Sequence, residues 1–254
     1  MTTATRHSRE PKVPEKLLPM PEDWHRALAV VAHPDDIEWG TAGAVAGWTA
    51  AGKKVAYLLV TRGEAGIDGI PPERCGPLRE AEERAAAAQV GVHSVEFLGH
   101  RDGVIEYGIA LRRDIALAIR RHRPELVITQ NHHDYWRPGT WNTPDHKAVG
   151  RATVDAAADA GNRWIFQPTD SDPEPWRGVR WVALAASPLA GHAVDISARR
   201  DQAIASLAAH TSYLRALSDT PPEQRAAELI DEMAATDPAV FDGRPHCAFE
   251  LITL

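Results

Sequence analysis

The sequence lacks the features that would place it in a membrane or on nucleic acid. No apolar run approaches the ~20 residues that a membrane-spanning helix needs, and the first residues are charged and proline-rich, without a hydrophobic signal core. We therefore expect a cytoplasmic protein that does not contact membranes. The formal net charge of −7 argues against non-specific binding to nucleic acids, because such binding needs a basic face.

Cysteine is also scarce, since Cys75 and Cys247 are the only two. They lie far apart and lack the spacing of a zinc finger, so we expect both to be reduced and structural. Repeats and low-complexity segments are absent as well. Apolar residues make up 44% of the chain and charged residues 25%, which is ordinary for a globular protein.

Short apolar segments alternate with amphipathic or alanine-rich segments along the chain. Strands are predicted at 27–32, 55–61, 95–98, 126–129, 178–186 and 247–253. Helices are predicted at 41–51, 78–90, 109–122, from 143 onward, at 198–217 and at 221–235. This alternation indicates an α/β fold, with a parallel sheet and helices on both faces.

The chain length suits a single domain, which we assign to residues 24–254. Residues 1–23 are interrupted by several prolines and are predicted to form an arm that lies over the surface or is disordered. Polar loops follow the first four predicted strands. In a parallel sheet these loops meet beyond the carboxyl ends of the strands, where ligands bind.

The first of these loops carries the strongest chemical signal. His33, Pro34, Asp35 and Asp36 follow directly after the apolar segment 27–32. Pro34 restricts the backbone of the turn, so the neighbouring side chains point in fixed directions. The same residues could also be ordinary turn chemistry beside a solvated histidine.

A second segment repeats the theme of proline, aspartate and histidine. Thr143 fits the N-cap of a helix, Pro144 fits its first position, and His146 then lies in the first turn. A neutral imidazole held on a rigid helix start suits a metal ligand. Taken alone, the segment could equally be a plain helix start with His146 in solvent.

The two segments together predict a metal site. His33, Asp36 and His146 supply two imidazoles and one carboxylate, the ligand count of a catalytic zinc site with one position left for water. Such a metal lowers the pKa of its water to about 7, so that hydroxide can attack a carbonyl. Asp35 is then the candidate general base.

Five motifs, in the same order along the chain, resemble the LmbE-like or PIG-L de-N-acetylases. The motifs are Ala32-His33-Pro34-Asp35-Asp36, Thr61-Arg62-Gly63-Glu64-Ala65-Gly66, Arg79-Glu80, Leu98-Gly99-His100-Arg101-Asp102-Gly103 and Pro144-Asp145-His146. The resemblance implies a Rossmann-like, mostly parallel sheet and a zinc-dependent hydrolase that removes an N-acetyl or other N-acyl group from an amino sugar such as N-acetylglucosamine. It also implies zinc ligation by His33, Asp36 and His146.

Other site residues follow from the same resemblance. Arg79 and Asp102 match positions that contact substrate in the family, and Glu64 is a further candidate from its motif. The family often has a histidine where this chain has Thr143, and that histidine is thought to stabilise the oxyanion and protonate the leaving amine. A threonine can donate a hydrogen bond but cannot act as an acid near neutral pH.

One of three histidines is therefore expected to substitute for the missing one: His132, His133 or His210. Of these three we predict His133, and the predicted catalytic residues are therefore Asp35, Thr143 and His133.

The segment 134–141 is unusually aromatic for a loop. Trp141 is a candidate substrate contact, because flat apolar rings can stack on sugar faces. Packing and stacking are equally favoured for Trp136, whereas packing is favoured for Trp39.

Two alternatives stay open. A His33-x-Asp35 pair with a distant His146 also matches the facial triad of a non-haem iron oxygenase, although that class usually has a β-rich barrel. The chain could also be a catalytically weakened relative that only binds sugar. The expected partner is a small molecule such as an N-acylated amino sugar or glycoconjugate, and a homo-oligomer stays open.

Overall fold

A computed structural model describes residues 16–167 and 172–254. In chain order, its elements are β1 (Leu18–Pro19), β2 (Arg26–Val31), α1 (Ala42–Ala50), β3 (Lys54–Leu59), α2 (Pro72–Gln89), β4 (Ser94–Phe97), α3 (Ile109–His122), β5 (Leu126–Gln130), β6 (Tyr135–Arg137), β7 (Thr140–Trp141), α4 (Pro144–Asp159), β8 (Trp181–Ala185), β9 (His192–Asp195), α5 (Arg200–Ala208), α6 (Thr211–Leu217), α7 (Pro222–Met233) and β10 (His246–Thr253). Short 3₁₀ turns lie at Ser197–Arg199 and Phe241–Gly243. None of the helices in these two ranges is long and apolar enough to cross a membrane.

Eight strands form one sheet in the order β1-β9-β10-β8-β5-β2-β3-β4. All neighbouring pairs are parallel except those of β10, which runs antiparallel to both β8 and β9. β6 and β7 form a separate small hairpin after β5. The predicted α/β class with a mostly parallel sheet is confirmed.

Apolar residues cover both faces of the sheet, as β2 illustrates. Ala27, Ala29 and Val31 belong to one buried core, whereas Leu28 and Val30 belong to the other. Because successive side chains of a strand point to opposite faces, an unbroken apolar strand must lie between two layers. The first core is covered by α1, α2, α5, α6 and α7, and the second by α3 and α4.

Two predicted helices differ from the structure. Helix α2 begins at Pro72 instead of residue 78 and contains Pro77. A proline so close to the helix start removes one backbone hydrogen bond without ending the helix. The predicted helix 198–217 is interrupted, because His210 adopts φ −77° and ψ 53° between α5 and α6 and turns its ring into the interior.

The chain segment before β2 is tied to the sheet at its end. Leu18–Pro19 pairs with the unpredicted strand β9, and Met20 is buried. Residues 1–15 of the predicted arm lie outside the described residues. Both cysteines are free and buried, as expected.

One buried cation holds the end of α4 against α3. The guanidinium of Arg120, with 1% of its surface exposed, donates to five backbone carbonyls. These belong to Asp159, Ala160, Asn162, Ile165 and Phe166, at 2.7–3.4 Å. A cation at a helix carboxyl end both satisfies the free carbonyls and complements the helix dipole.

We expect Arg120→Met to lower the free energy of unfolding by about 3 kcal/mol or more, because it leaves buried carbonyls without donors. The neighbouring Arg121→Met is the control, since Arg121 is exposed and its one side-chain partner among the described residues is Glu96 on the surface. Its effect should stay within about 1 kcal/mol. Urea unfolding of both variants measures the difference, and equal effects would contradict the assigned role of Arg120.

Candidate active site

The loop after β2 forms a tight turn that its own aspartate closes. The backbone amide of Asp36 donates to the carbonyl of His33 at 3.3 Å, and the amide of His33 donates back to Asp36 Oδ2 at 2.7 Å. The chain has room for this turn because Gly63 of the next loop packs against Pro34. A Cβ atom on Gly63 would lie 2.9 Å from Pro34 Cδ, and its φ of +63° also favours glycine.

Asp35, at the centre of the turn, has a φ of +91°, a conformation that residues other than glycine rarely adopt. Three contacts hold it there. Its amide donates to Glu83 Oε2 at 3.1 Å, and its carboxylate accepts a hydrogen bond from Trp39 Nε1 at 2.9 Å and pairs with Arg79 Nη2 at 3.2 Å. Such strain costs about 1–3 kcal/mol and persists only where surrounding contacts enforce it.

The three predicted metal ligands come together at the carboxyl end of the sheet. Asp36 lies between two rings, with Oδ2 at 3.5 Å from His33 Nδ1 and Oδ1 at 3.0 Å from His146 Nε2. One ligand atom from each residue lies within 4.8 Å of the others. Two imidazole nitrogens and a carboxylate oxygen form a donor set that suits zinc, so the residues fit the expected ion.

Two further carboxylates hold the other nitrogen of His33. Asp102 Oδ1 and Asp145 Oδ2 both lie 3.1 Å from His33 Nε2. Asp145 also accepts the amides of Gly103 at 2.7 Å and Ile105 at 3.0 Å, so it fixes the loop after β4. In this arrangement Nδ1 of His33 faces Asp36, and Nε2 faces Asp102 and Asp145, which we call the outer carboxylates.

The surroundings shift the pKa values of the two adjacent aspartates in opposite directions. Burial raises the pKa of Asp35, and the nearby Arg79 opposes this shift only in part. Burial acts on Asp36 as well, but the rings of His146 and His33 hold its pKa far below the usual range. Asp36 is therefore an anionic ligand, whereas Asp35 takes up a proton more readily.

The same carboxylates act on His33. Burial alone would lower the pKa of this ring, but Asp36, Asp102 and Asp145 raise it to about 12. A bound cation would take the place of that proton.

Helix α4 presents His146 as the sequence predicts. Thr143 is the N-cap, and its hydroxyl accepts the amide of His146 at 3.3 Å. Trp136 of the β6–β7 hairpin meets the His146 ring edge-on, with ring centroids 5.2 Å apart. Trp141 of the same hairpin is 57% exposed and has Lys147 Nζ 4.2 Å from its ring.

The predicted substrate contacts connect to the cluster through ion pairs and hydrogen bonds, Asp102 through His33, Glu64 through Asp102 and Arg79 through Asp35. Arg79 is only 1% exposed, bonds to the Pro34 carbonyl and lies over the Tyr213 ring at 3.8 Å. Glu64 accepts the amide of Asp102 at 2.9 Å and so supports the loop that carries it. A role in substrate contact stays a prediction for Arg79, Glu64 and Asp102.

The histidines proposed to replace the family histidine lie in different places. His133 Nε2 is 2.8 Å from Glu250 Oε2 on β10, and the His132 ring stacks on His133 at 4.7 Å. His210 is fully buried, so in this structure it does not reach a substrate. This corrects the inclusion of His210 among the candidate acids.

Sequence reasoning missed several residues of the site. Asp145 lies inside a recognised motif, and its place before His146 was the available signal. Glu83, which accepts the Asp35 amide, and Tyr213, whose ring lies under Arg79, come from distant segments and carry no local signal. Trp39 packs against the core as predicted, and its indole also holds Asp35.

Comparison with known proteins identifies relatives of this architecture. Residues 28–157 match the family described as PIG-L, GlcNAc-PI de-N-acetylase. Diacetylchitobiose deacetylase of Thermococcus kodakarensis is 33% identical over 141 residues, which cover 55% of this chain and 51% of that protein. The probable N-acetyl-alpha-D-glucosaminyl L-malate deacetylase 2 of Bacillus anthracis is 33% identical over 138 residues, covering 52% of this chain and 58% of that protein.

The chain thus spans about half the length of the curated relatives it matches. Among solved structures, N,N'-diacetylchitobiose deacetylase from Pyrococcus horikoshii superposes with a TM-score of 0.79 at 22% identity. The match covers 91% of this chain and 85% of that one, and it supports the fold.

We expect Gly63→Ala to lower the free energy of unfolding by about 1–3 kcal/mol, because the added methyl meets Pro34 and the positive φ is strained. Gly40→Ala is the control, since a Cβ there meets nothing within 4 Å. Urea unfolding in the presence of a chelator measures both variants without a contribution from metal. Equal stabilities would show that the packing of Gly63 on Pro34 does not constrain the loop.

Proposed function

Because the chain belongs to the PIG-L family, we propose that it is a zinc-dependent hydrolase that removes the N-acetyl group from an amino sugar or a small glycoconjugate. The observation that carries the proposal is the His33, Asp36 and His146 group beside the separately held Asp35. The deacetylases of chitobiose and of N-acetyl-glucosaminyl malate among its relatives support an N-acetylglucosamine unit in the substrate.

Zinc is the proposed ion. His33, Asp36 and His146 would hold it, with His33 bound through Nδ1 because Asp102 and Asp145 occupy Nε2. Zinc in such a site polarises a carbonyl and lowers the pKa of water.

Asp35 is the proposed general base. Its carboxylate is buried, which raises its pKa toward the range that suits proton transfer at neutral pH. Trp39 and Arg79 fix the orientation of the carboxylate, so it accepts the proton of the attacking water without reorganisation. Asp36 does not compete for that role, because the two imidazoles hold its pKa far below the usual range and so make it a weak base.

The oxyanion and the leaving amine need separate groups. Thr143 caps α4 as an acceptor, and its hydroxyl proton is free to bond to the carbonyl oxygen of the amide. His133 is the proposed proton donor to the amine, since Glu250 orients its ring.

The sugar is proposed to lie under the β6–β7 hairpin. Trp136 packs on the ligand His146, and Trp141 presents an exposed ring beside it in the hairpin. Aromatic faces of this kind stack on the apolar face of a sugar. Asp102 and Glu64 are proposed to complete the wall around the acetylated ring, and Arg79, which is only 1% exposed, is proposed to orient Asp35 from behind. A small molecule in the cytoplasm is the proposed partner, since the net charge of −7 disfavours nucleic acid.

The geometry favours this reading over an iron oxygenase. That class would use Asp35 as the ligand, yet Asp35 is bound to Trp39 and Arg79 while Asp36 lies between the histidines. The other alternative, a relative that binds sugar without activity, is distinguished from the proposed hydrolase by the amine-release assay below.

The first test measures amine release from N-acetylated amino sugars, with and without added zinc. The panel contains N-acetylglucosamine, its disaccharide, its inositol conjugate and its malate conjugate. We expect zinc-dependent release, and Asp35→Asn should lower kcat by about 10²–10⁴-fold while zinc content stays unchanged. Zinc binding without release on any sugar would contradict the proposed activity, and an active Asp35→Asn variant would contradict the base.

A second test concerns the outer carboxylates. Asp145→Asn should weaken zinc binding by about 10- to 100-fold, because it loosens the hold on His33. Asp155→Asn is the control on the same helix, since Asp155 bonds to Tyr107 and Arg151 away from the cluster. Competition with a chromophoric chelator measures both affinities, and an unchanged affinity in Asp145→Asn would show that His33 needs no such support.

A further inference from the structure

A second group of ionisable side chains lies buried behind the loop that carries Asp35. Glu38 precedes α1, Glu83 lies in α2, and His210 lies between α5 and α6; each has 0% of its surface exposed. One ligand atom from each lies within 4.8 Å of the others. The proposed hydrolysis uses this group only through Glu83, which accepts the Asp35 amide, and gives no role to Glu38 or His210.

Several polar atoms of the group have no hydrogen-bond partner within residues 16–167 and 172–254. They are Glu38 Oε2, Glu83 Oε1, both ring nitrogens of His210 and the nearby hydroxyl of Tyr57. The remaining carboxylate oxygens are occupied, because Ser206 donates to Glu38 Oε1 at 2.9 Å and the Asp35 amide donates to Glu83 Oε2 at 3.1 Å. Buried polar groups in native proteins are normally satisfied, and each orphan costs about 1–3 kcal/mol.

The distances indicate what satisfies these atoms. His210 Nε2 lies 3.6 Å from Glu38 Oε2 and 3.7 Å from Glu83 Oε2. Direct hydrogen bonds would bring the atoms to about 2.7–3.2 Å, whereas a bridging water would hold them roughly 4.5 Å apart. Two ligands on one tetrahedral zinc ion, with bonds of about 2.1 Å, lie about 3.4 Å apart, which agrees best with the observed separations.

Charge supports the same conclusion. Two carboxyl groups share a site with 0% exposure to solvent, and among the described residues no lysine or arginine forms an ion pair with either of them. A divalent cation would neutralise both carboxylates and use the imidazole as a neutral ligand.

We propose that Glu38, Glu83 and His210 hold a second divalent cation with mixed nitrogen and oxygen ligands, such as Zn²⁺ or Mn²⁺. The ion is structural, since no substrate reaches a site with 0% exposure. Through Glu83, which accepts the amide of Asp35, it stiffens the strained turn beneath the proposed base.

The test counts metal ions in the whole purified chain. The protein is saturated with zinc, freed of loosely bound ions by gel filtration, and analysed by mass spectrometry for zinc per chain. The wild type should hold about two ions, and His146→Ala and His210→Gln about one each, because each loses a different site. The double variant should hold none.

Two isosteric variants distinguish the loss of a metal ligand from a loss of folded structure. Glu83→Gln should also fall to one ion, whereas Glu82→Gln, its neighbour in α2 that bonds to the Ser212 amide, should keep two. Circular dichroism checks that each variant is folded. A wild type that holds only one ion at saturation, or a folded Glu83→Gln that still holds two, would overturn the proposal.

The count is independent of turnover, so this proposal and the proposed hydrolysis can fail separately. Two ions without amine release would support the second site and contradict the deacetylase. One ion per chain with amine release would support the deacetylase and contradict the second site.

Discussion

The site depends on one backbone constraint, the positive φ of Asp35. The conformation turns two adjacent carboxylates in different directions, so that Asp36 lies between the imidazoles and Asp35 faces Trp39 and Arg79. Contacts from several parts of the chain enforce it: the Glu83 carboxylate, the guanidinium of Arg79 and the packing of Gly63 on Pro34. The strain is therefore distributed over the fold.

Environment, not residue type, then gives the two aspartates their different chemistry. Asp36 is surrounded by rings that keep it ionised, whereas burial shifts Asp35 toward protonation. Pairs of titratable groups whose pKa values are pushed apart are typical of sites that perform acid and base chemistry. The Asp145 carboxylate adds the link between α4, the loop after β4 and His33, so one helix and two loops share one hydrogen-bond network.

Local sequence patterns predicted much of the fold. The unbroken apolar strand β2, the amphipathic helix Ile109–His122 and the capped start of α4 each carry their signal within one segment. The same holds for His33, Asp36 and His146, whose spacing after predicted strands indicated a common edge. Strand β9 was missed because its two apolar residues, Ala193 and Val194, are adjacent, whereas in β4, of the same length, Val95 and Phe97 alternate with polar residues. The break at His210 was missed because apolar periodicity continues across it, while the burial of one imidazole decides the backbone.

Side chains that support the site from behind could not be predicted in this way. Glu83, Tyr213 and Glu250 reach their partners only after distant segments have packed, and each reads as an ordinary helix or strand residue. Arg79 shows the related difficulty. A motif can predict that a residue belongs to the site, but only packing decides whether it faces the cleft or, as here, the carboxylate behind it.

The hydrogen bond from Trp39 to Asp35 gives the molecule an internal reporter. An indole N–H that donates to a carboxylate changes its proton resonance when that carboxylate is protonated or displaced, and the 2.9 Å contact couples the two groups directly. Asp35 can thus be followed in solution through the indole signal of Trp39, without a substrate and without labelling the carboxyl group itself.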